Sequence, residues 1–408
     1  MRHFFLFVTI ILSITTSAQK KEISQARSDI KSRSNLEQAE ASMRNLLKDS
    51  VNRQNIRIYE TLANAVSAQY EVANEKLYLK EGYDTVAFFN TAHKMFIAYE
   101  SLDSIDALPD KKGRIKPKYR KKNAEYLDKY RRNLYNGGLF FINKKNYEFA
   151  YKLMDSYLDC AQQPLFETNK YINDDQLASS AAFWTVVSGY KLNRPDSALK
   201  YHELALSNRN YRRRALQYLS DIYLIKGDTA KYIETLNLGF KENKKSKFFF
   251  LRLMDYYNGK NQLDKAMAIV DTALISDKDN VLFLFAKSNI LLNMGSYQEC
   301  VTVCDTILKK NNSFPDVYYN AGVSYLNLAI DLEKTTISKR KNRTQIIDYY
   351  KKSLPYMEKY REMCPNEKDK WAPSLYNIYL KLNMGRQFDE MNSILQNIHG
   401  KNKYISVI

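Results

Sequence analysis

Glycine and proline are scarce in this chain, 12 and 8 of 408 residues, about 5% together against an average near 12%. β-Sandwiches, propellers and long unstructured linkers need many turn residues, so the shortage excludes them. Cysteine is scarce as well: Cys160, Cys300, Cys304 and Cys364 are far too few for a disulfide scaffold. Cys300 and Cys304 stand four apart, which on a helix holds their Cβ atoms about 5–6 Å apart, beyond the usual disulfide spacing. They read as two small buried thiols. His3, His93, His202 and His399 are scattered, with no metal-ligand spacing, so no metal is expected. There is no Gly-rich phosphate loop, nucleophile elbow or HExxH, so neither catalysis nor a cofactor is expected. Beyond the first residues no run approaches the length of a membrane span; Val281 to Ala286 is among the longest apolar runs.

What is present is apolar, aromatic and basic. An apolar fraction of 45% supports a large core and argues against disorder. Tyrosine reaches 32, and 63 Lys plus Arg outweigh 45 Asp plus Glu, a formal charge of +18. Met1-Arg2-His3, the apolar run Phe4 to Ile14 and the small Thr16-Ser17-Ala18 have the layout of a secretory signal peptide cut after Ala18. The mature chain is then expected to be exported, to the periplasm or the medium, without a transmembrane segment.

Internal periodicity organises the rest. Ala198, Tyr232, Ala266 and Cys300 repeat every 34 residues, as do Val186, Ser220, Met254, Ser288 and Gly322. Each unit reads as helix, short turn, helix, with Pro or Gly in the turns 192–195, 226–228, 259–261 and 294–296. Asp196 and Asp228 then supply polar starts for second helices. The pattern resembles the tetratricopeptide repeat. One unit gives Phe250, Leu253, Met254, Tyr257, Ala266, Val270 and Ala273; others give Leu134, Gly138, Phe141, Ala150 and Tyr318, Ala321, Gly322, Tyr325. The resemblance implies an all-α fold: an αα-superhelix, or solenoid, of roughly seven to nine helix pairs, irregular at the N-terminus.

The step from Ala150 to Ala198 is 48, with the excess near Gln162 to Leu177; that from Cys300 to Ser353 is 53, with the excess near Asp331 to Thr344. Both are read as insertions that lengthen helices. The expected organisation is a signal peptide over 1–18, a helical region with degenerate repeats and a basic loop over 19–130, the array over 131–397, and a tail over 398–408. Leu36 to Leu46, Ile56 to Leu79 and Asp84 to Leu102 are amphipathic, and Ala107 to Tyr119 is the basic loop.

The resemblance also implies that first helices line a concave groove that binds a protein or peptide. The positions facing it carry Arg132, Tyr135, Asn143, Phe183, Tyr190 and Lys191, then Arg214, Gln217, Asp221 and Asp255, then Phe285, Asn289, Asn293, Tyr319 and Asn327. Aromatics can anchor a ligand, and Asn can pair with a peptide backbone in both directions; the alternative is that several pack on neighbouring helices. Some relatives clamp a terminal carboxylate. Here Asn289, Asn320 and Lys370 match that set, but Phe285 and Ser374 replace two cations, which argues against a clamp.

Basic residues cluster in Lys111 to Arg132, with eleven Lys or Arg, and in Lys334 to Lys352, with seven. Lys111, Lys112, Arg114, Lys339, Arg340 and Lys341 are the candidate patch for an anionic envelope glycan or lipid; the alternative is a solvated face. Nucleic acid is a formal reading that export disfavours. Seven Asp-Ser/Thr-apolar segments, including those at Ser50, Thr85 and Ser104, resemble an acceptor pattern for O-glycosylation; helix capping is the alternative.

Overall fold

The computed structural model describes residues 19–334 and 342–405. The expected signal peptide, and Lys339, Arg340 and Lys341 of the basic patch, lie outside the described residues. Among the described residues the chain is helical, without strands. Contacts divide it into two units, Met1–Tyr232 and Ile233–Ile408.

In the first unit α1 covers 19–32 and α2 Leu36–Leu46. The long α3 (Ile56–Tyr78) and α4 (Thr85–Asp106) follow, then α5 (Arg120–Asn143) and α6 (Tyr147–Asp159). The short α7 (Tyr171–Asp174) precedes α8 (Ala178–Lys191), whose partner is split into α9 (Pro195–Leu199) and α10 (His202–Ser207). α11 is Arg212–Ile225, and α12 (Thr229–Glu242) carries the unit boundary. The second unit continues with α13 (Lys247–Gly259), α14 (Leu263–Ser276), α15 (Val281–Met294) and α16 (Tyr297–Leu308). It ends with α17 (Pro315–Lys334), α18 (Arg343–Met363), α19 (Lys368–Lys381) and α20 (Gly385–Ile405). Nine helix pairs thus follow one another among the described residues, in the helix–turn–helix pattern of the tetratricopeptide repeat.

Each turn works the same way. Asn193, Gly227, Asn261 and Gly295 take left-handed φ angles of 54°, 71°, 53° and 78°, and they too are spaced by 34. A left-handed residue reverses the chain so that the next amide can reach back to the first helix. Asp228 N–H bonds Tyr223 O at 3.0 Å and Ser296 N–H bonds Leu291 O at 2.9 Å. Lys145 (58°) does the same for α5 and α6, and Asn383 (54°) for α19 and α20. Asp228 then caps α12, accepting from Lys231 N–H at 3.0 Å. Asp196 does not cap: it stands inside the first turn of α9, after Pro195, and pairs with Lys226.

Helix pairs meet at small residues. A Cβ on Gly189 would lie 2.6 Å from Ala198 N and 2.7 Å from its Cα. Cys300 Sγ lies 3.2 Å from Ser288 O, and Ser353 donates to Gly322 O at 2.6 Å. These are the periodic positions, so the register survives the second insertion. That insertion lengthens α17 and α18 to 20 and 21 residues, against 14 for α15.

The first insertion behaves otherwise. Instead of lengthening helices, residues 160–177 fold back as a turn of 3-10 helix at Pro164–Phe166 followed by α7. Leu165 and Phe166 are buried. Arg131 is the anchor: its guanidinium lies 3.8 Å from the ring centres of both Tyr157 and Tyr171. It pairs with Asp175 at 2.7 Å, and Tyr157 hydroxyl donates to the same carboxylate at 2.7 Å. At the other end, the expected tail beginning at 398 is helical through Ile405.

Three substitutions test the packing and its turns by denaturation. Gly189→Ala meets rigid backbone and should cost about 3 kcal/mol, whereas Gly138→Ala meets only the flexible Met154 side chain and should cost less. Lys145→Gly relieves a left-handed non-glycine residue on the surface and should stabilise by about 1 kcal/mol.

Candidate functional site

The first helices of the first unit carry Arg132, Tyr135, Asn143, Phe183, Tyr190, Lys191, Arg214, Gln217 and Asp221. Arg132, Asn143, Lys191 and Arg214 are exposed; Tyr135, Tyr190, Gln217 and Asp221 are half-buried. Phe183 departs from expectation, being fully buried at 0% exposure. Its ring stacks on Tyr211 at 4.3 Å and 4°, because α8 packs on α11 there. Arg214 lies over the same ring at 5.5 Å. Tyr190 packs on Tyr218 at 5.2 Å with the Lys191 amine 5.6 Å from its ring. Tyr135 shares a hydrogen bond with Ser180 at 2.9 Å.

In the second unit Asp255 and Asn293 are exposed, and Phe285, Asn289, Tyr319 and Asn327 are half-buried. Phe285 packs on Phe314 at 4.6 Å, and Tyr319 on Tyr360 at 5.1 Å. The buried Asn320 donates to Asn289 Oδ1 at 2.6 Å and to Ser288 Oγ at 3.0 Å. That bond holds the Asn289 amide by its oxygen, and its Nδ2 donates to no described residue. The other clamp positions serve the fold: Ser374 is buried and Lys370 pairs with Glu367 at 2.5 Å.

The basic cluster is partly spent inside the protein. Lys111, Lys112 and Arg114 are exposed, but Arg114 holds Asp110 through Nη2 at 2.8 Å and Nε at 3.0 Å. Lys112 N–H also bonds Asp110 at 2.8 Å, and the Arg114 bonds keep that carboxyl below the usual range. Arg120 binds the buried Asp103 with both nitrogens at 2.9 Å. With Arg131 on Asp175, two of the eleven cations are partners of buried carboxylates, and Arg114 makes an exposed pair.

Titratable groups elsewhere serve packing. Cys160, Cys300 and Cys304 are free and buried, and burial pushes the Cys160 thiol up. His202 is half-buried, with Nδ1 at 2.7 Å from Leu199 O. Asp49 and Asp84 cap the turns at Ser50 and Thr85 through Val51 and Val86 N–H. Ser104 lies inside α4, donating to Glu100 O. No group of His, Cys, Asp and Glu suited to a metal occurs among the described residues, and no described helix is long and apolar enough to cross a membrane.

Glu100 is the most perturbed carboxyl. Burial first, then Asp159 and Asp155, push it up to about 7, and its Oε1 is buried without a partner. Such a shift often marks catalysis, but Glu100 lines neither the cleft among α2, α3, α4 and α6 nor the one beside Trp371.

The first of these clefts, of about 1200 Å³, has no signal in the sequence. It lies among α2, the end of α3, α4 and α6, so it is lined mainly by second helices. None of the first-helix candidates borders it. Its parts come from positions 33–44, 69–94 and 149–152, and only the packing of successive pairs brings them together.

No protein-family model matches the chain, and no curated protein does. Among solved structures, the C-terminal part of a TPR repeat-containing protein from Cytophaga hutchinsonii is 14% identical; the alignment covers 64% of this chain and 93% of that one, with a TM-score of 0.41. A TPR repeats protein from Bacteroides fragilis is 19% identical over 65% of this chain and 98% of that one, TM-score 0.32. YrrB, described as a TPR protein with an unusual peptide-binding site, is 17% identical over 48% and 92%, TM-score 0.34.

Glu100 yields a pH test. Its folded pKa near 7 exceeds the ordinary 4.5, so the folded state holds the proton more tightly. Stability is full below pH 4.5 and is lost as pH climbs to 7. Glu100→Gln should therefore be more stable than the parent above pH 7, on the order of 2 kcal/mol, and equal to it in acid. Paired urea titrations at both pH values measure this.

Proposed function

We propose that this chain is a non-enzymatic scaffold that holds a protein or peptide against the faces of its first helices. The observation that carries the reading is the set along α15 and α17. Asn289 is held by its oxygen and its N–H groups donate to no described residue, Asn293 is exposed, and half-buried Phe285 and Tyr319 lie on the same two helices. Such amides and half-buried rings suit an extended peptide, which offers carbonyls and side chains in alternation. Tyr190, Lys191, Arg214 and Gln217 form a comparable set on α8 and α11.

We place the scaffold in the bacterial cell envelope, after export. The support is the sequence alone: the basic start, the apolar run Phe4 to Ile14 and the small residues ending at Ala18. A role for the basic insertions in binding anionic glycan or lipid is the weaker reading, since Arg120 and Arg131 are held by the buried Asp103 and Asp175.

Photo-cross-linking in the native host tests the proposal. A benzoylphenylalanine at Lys191 or Asn293 should give adducts with a discrete protein. The same probe on second helices, at the exposed Lys265 or Thr306, should give far fewer. Equal yields from both sets would remove the first-helix assignment. Tyr190→Ala with Lys191→Ala should weaken co-purification of the cross-linked partner.

A further inference from the structure

The cleft of the first unit has the make-up of a binding site. At its floor sits Glu40, 5% exposed, in the middle of α2. It accepts from Arg44 Nε at 2.8 Å and Gln69 Nε2 at 2.9 Å, with Lys94 Nζ at 3.4 Å. Burial alone would push this carboxyl up; the Arg44 and Gln69 bonds outweigh it and the pKa falls below the ordinary value. Glu40 is thus a fixed internal anion that gathers two cations at the cleft and cannot neutralise both. Arg44 and Lys94 keep about half of their side-chain surface in solvent.

Arg33 and Lys152 add two more cations to the lining, against Glu37 and Glu40 alone. Each reaches a carboxylate outside it, Glu75 at 3.1 Å and Glu148 at 3.4 Å, and these are exposed pairs that an incoming anion can replace. His93 reports the local field: burial first, then Lys152, hold its pKa below the ordinary value, with Asp155 opposing. The excess of positive charge calls for an anionic ligand.

The rest of the lining selects its class. Leu36, Val72 and Ala87 are apolar, and Asn35 and Asn90 are amides that can pair with a peptide backbone, while Gln69 is held by Glu40 and Leu36 O. A glycan ring needs an open aromatic face. Phe149 already has Phe141 stacked on it at 5.2 Å and Lys152 at 5.4 Å from its centre. The other ring, Tyr83, has Glu37 near its hydroxyl, which after burial raises its pKa.

We infer that this cleft, formed mainly by second helices, binds an acidic peptide segment with alternating carboxylate and apolar side chains. Carboxylates meet Arg44, Lys94 and Lys152, and apolar side chains meet Leu36, Val72 and Ala87. The site is separate from the first-helix faces, and either can exist without the other.

Fluorescence anisotropy with the full chain and a fluorescein-labelled peptide of alternating Glu and Leu tests it. The expected result is saturable binding that a Gln–Leu peptide of equal length lacks. Lys94→Ala with Lys152→Ala should weaken it about tenfold or more. Arg33→Ala with Lys152→Ala, which leaves Glu40 and its three partners in place, should weaken it too. Lys111→Ala with Lys112→Ala should leave it unchanged. In the complex the His93 imidazole should titrate at higher pH by NMR. Equal affinity for the Gln–Leu peptide, or no effect of either cleft variant, overturns the inference. So does cleft-dependent binding of polygalacturonate in place of the peptide.

Discussion

The close approach of two helices at small side chains is the contact on which the other features rest. The Ala198 backbone leaves no room for a larger residue at Gly189, and Cys300 and Ser353 come close enough to bond the carbonyls of Ser288 and Gly322. Large residues such as Phe250, Tyr257 and Phe283 then fill the wedge that opens away from it. The crossing fixes where the turn must fall, and the turn fixes the left-handed residue. Two ladders of period 34, one of small residues and one of Asn and Gly, are the same constraint seen at two places on each pair.

The tyrosine excess follows from stacking such pairs. A tyrosine can bury its ring between helices and still hand its hydroxyl to an acid on a neighbour. Tyr126 does so with Glu71 at 2.8 Å, Tyr356 with Asp305 at 2.6 Å and Tyr379 with Glu358 at 3.0 Å. The acids thereby engaged, and the arginines on Asp103 and Asp175, show that much of the charge in this basic chain is structural. Among the described residues the exposed lysines of the 107–119 loop stay in solvent, and Glu40 gathers two half-exposed cations at one cleft.

The helix pairs were legible because their signals are short-range. Gly227 and Gly295, the residues around them and the small positions repeat within one sequence window. The second insertion was legible for the same reason, since Gly322 and Ser353 keep their pairing. The first was not: nothing in 160–177 announces that Tyr171 and Asp175 will close on Arg131. Phe183 was misplaced because a position facing the groove in one unit becomes an interface when Tyr211 of the next helix lies across it. The cleft was invisible because Glu40, His93 and Lys152 are dispersed along 112 residues and each looks like an ordinary member of an amphipathic helix.

The clasp on Arg131 also sets how this part of the molecule opens. A stack of helix pairs tends to fray one pair at a time, since each touches only its neighbours. Arg131 of α5 is held by Tyr157 of α6, and by Tyr171 and Asp175 of the inserted segment. Releasing any one of these exposes a buried guanidinium, so α5, α6 and the insertion must part together. Hydrogen exchange across 120–175 would then follow one slow, shared event, a single foldon inside an otherwise modular chain.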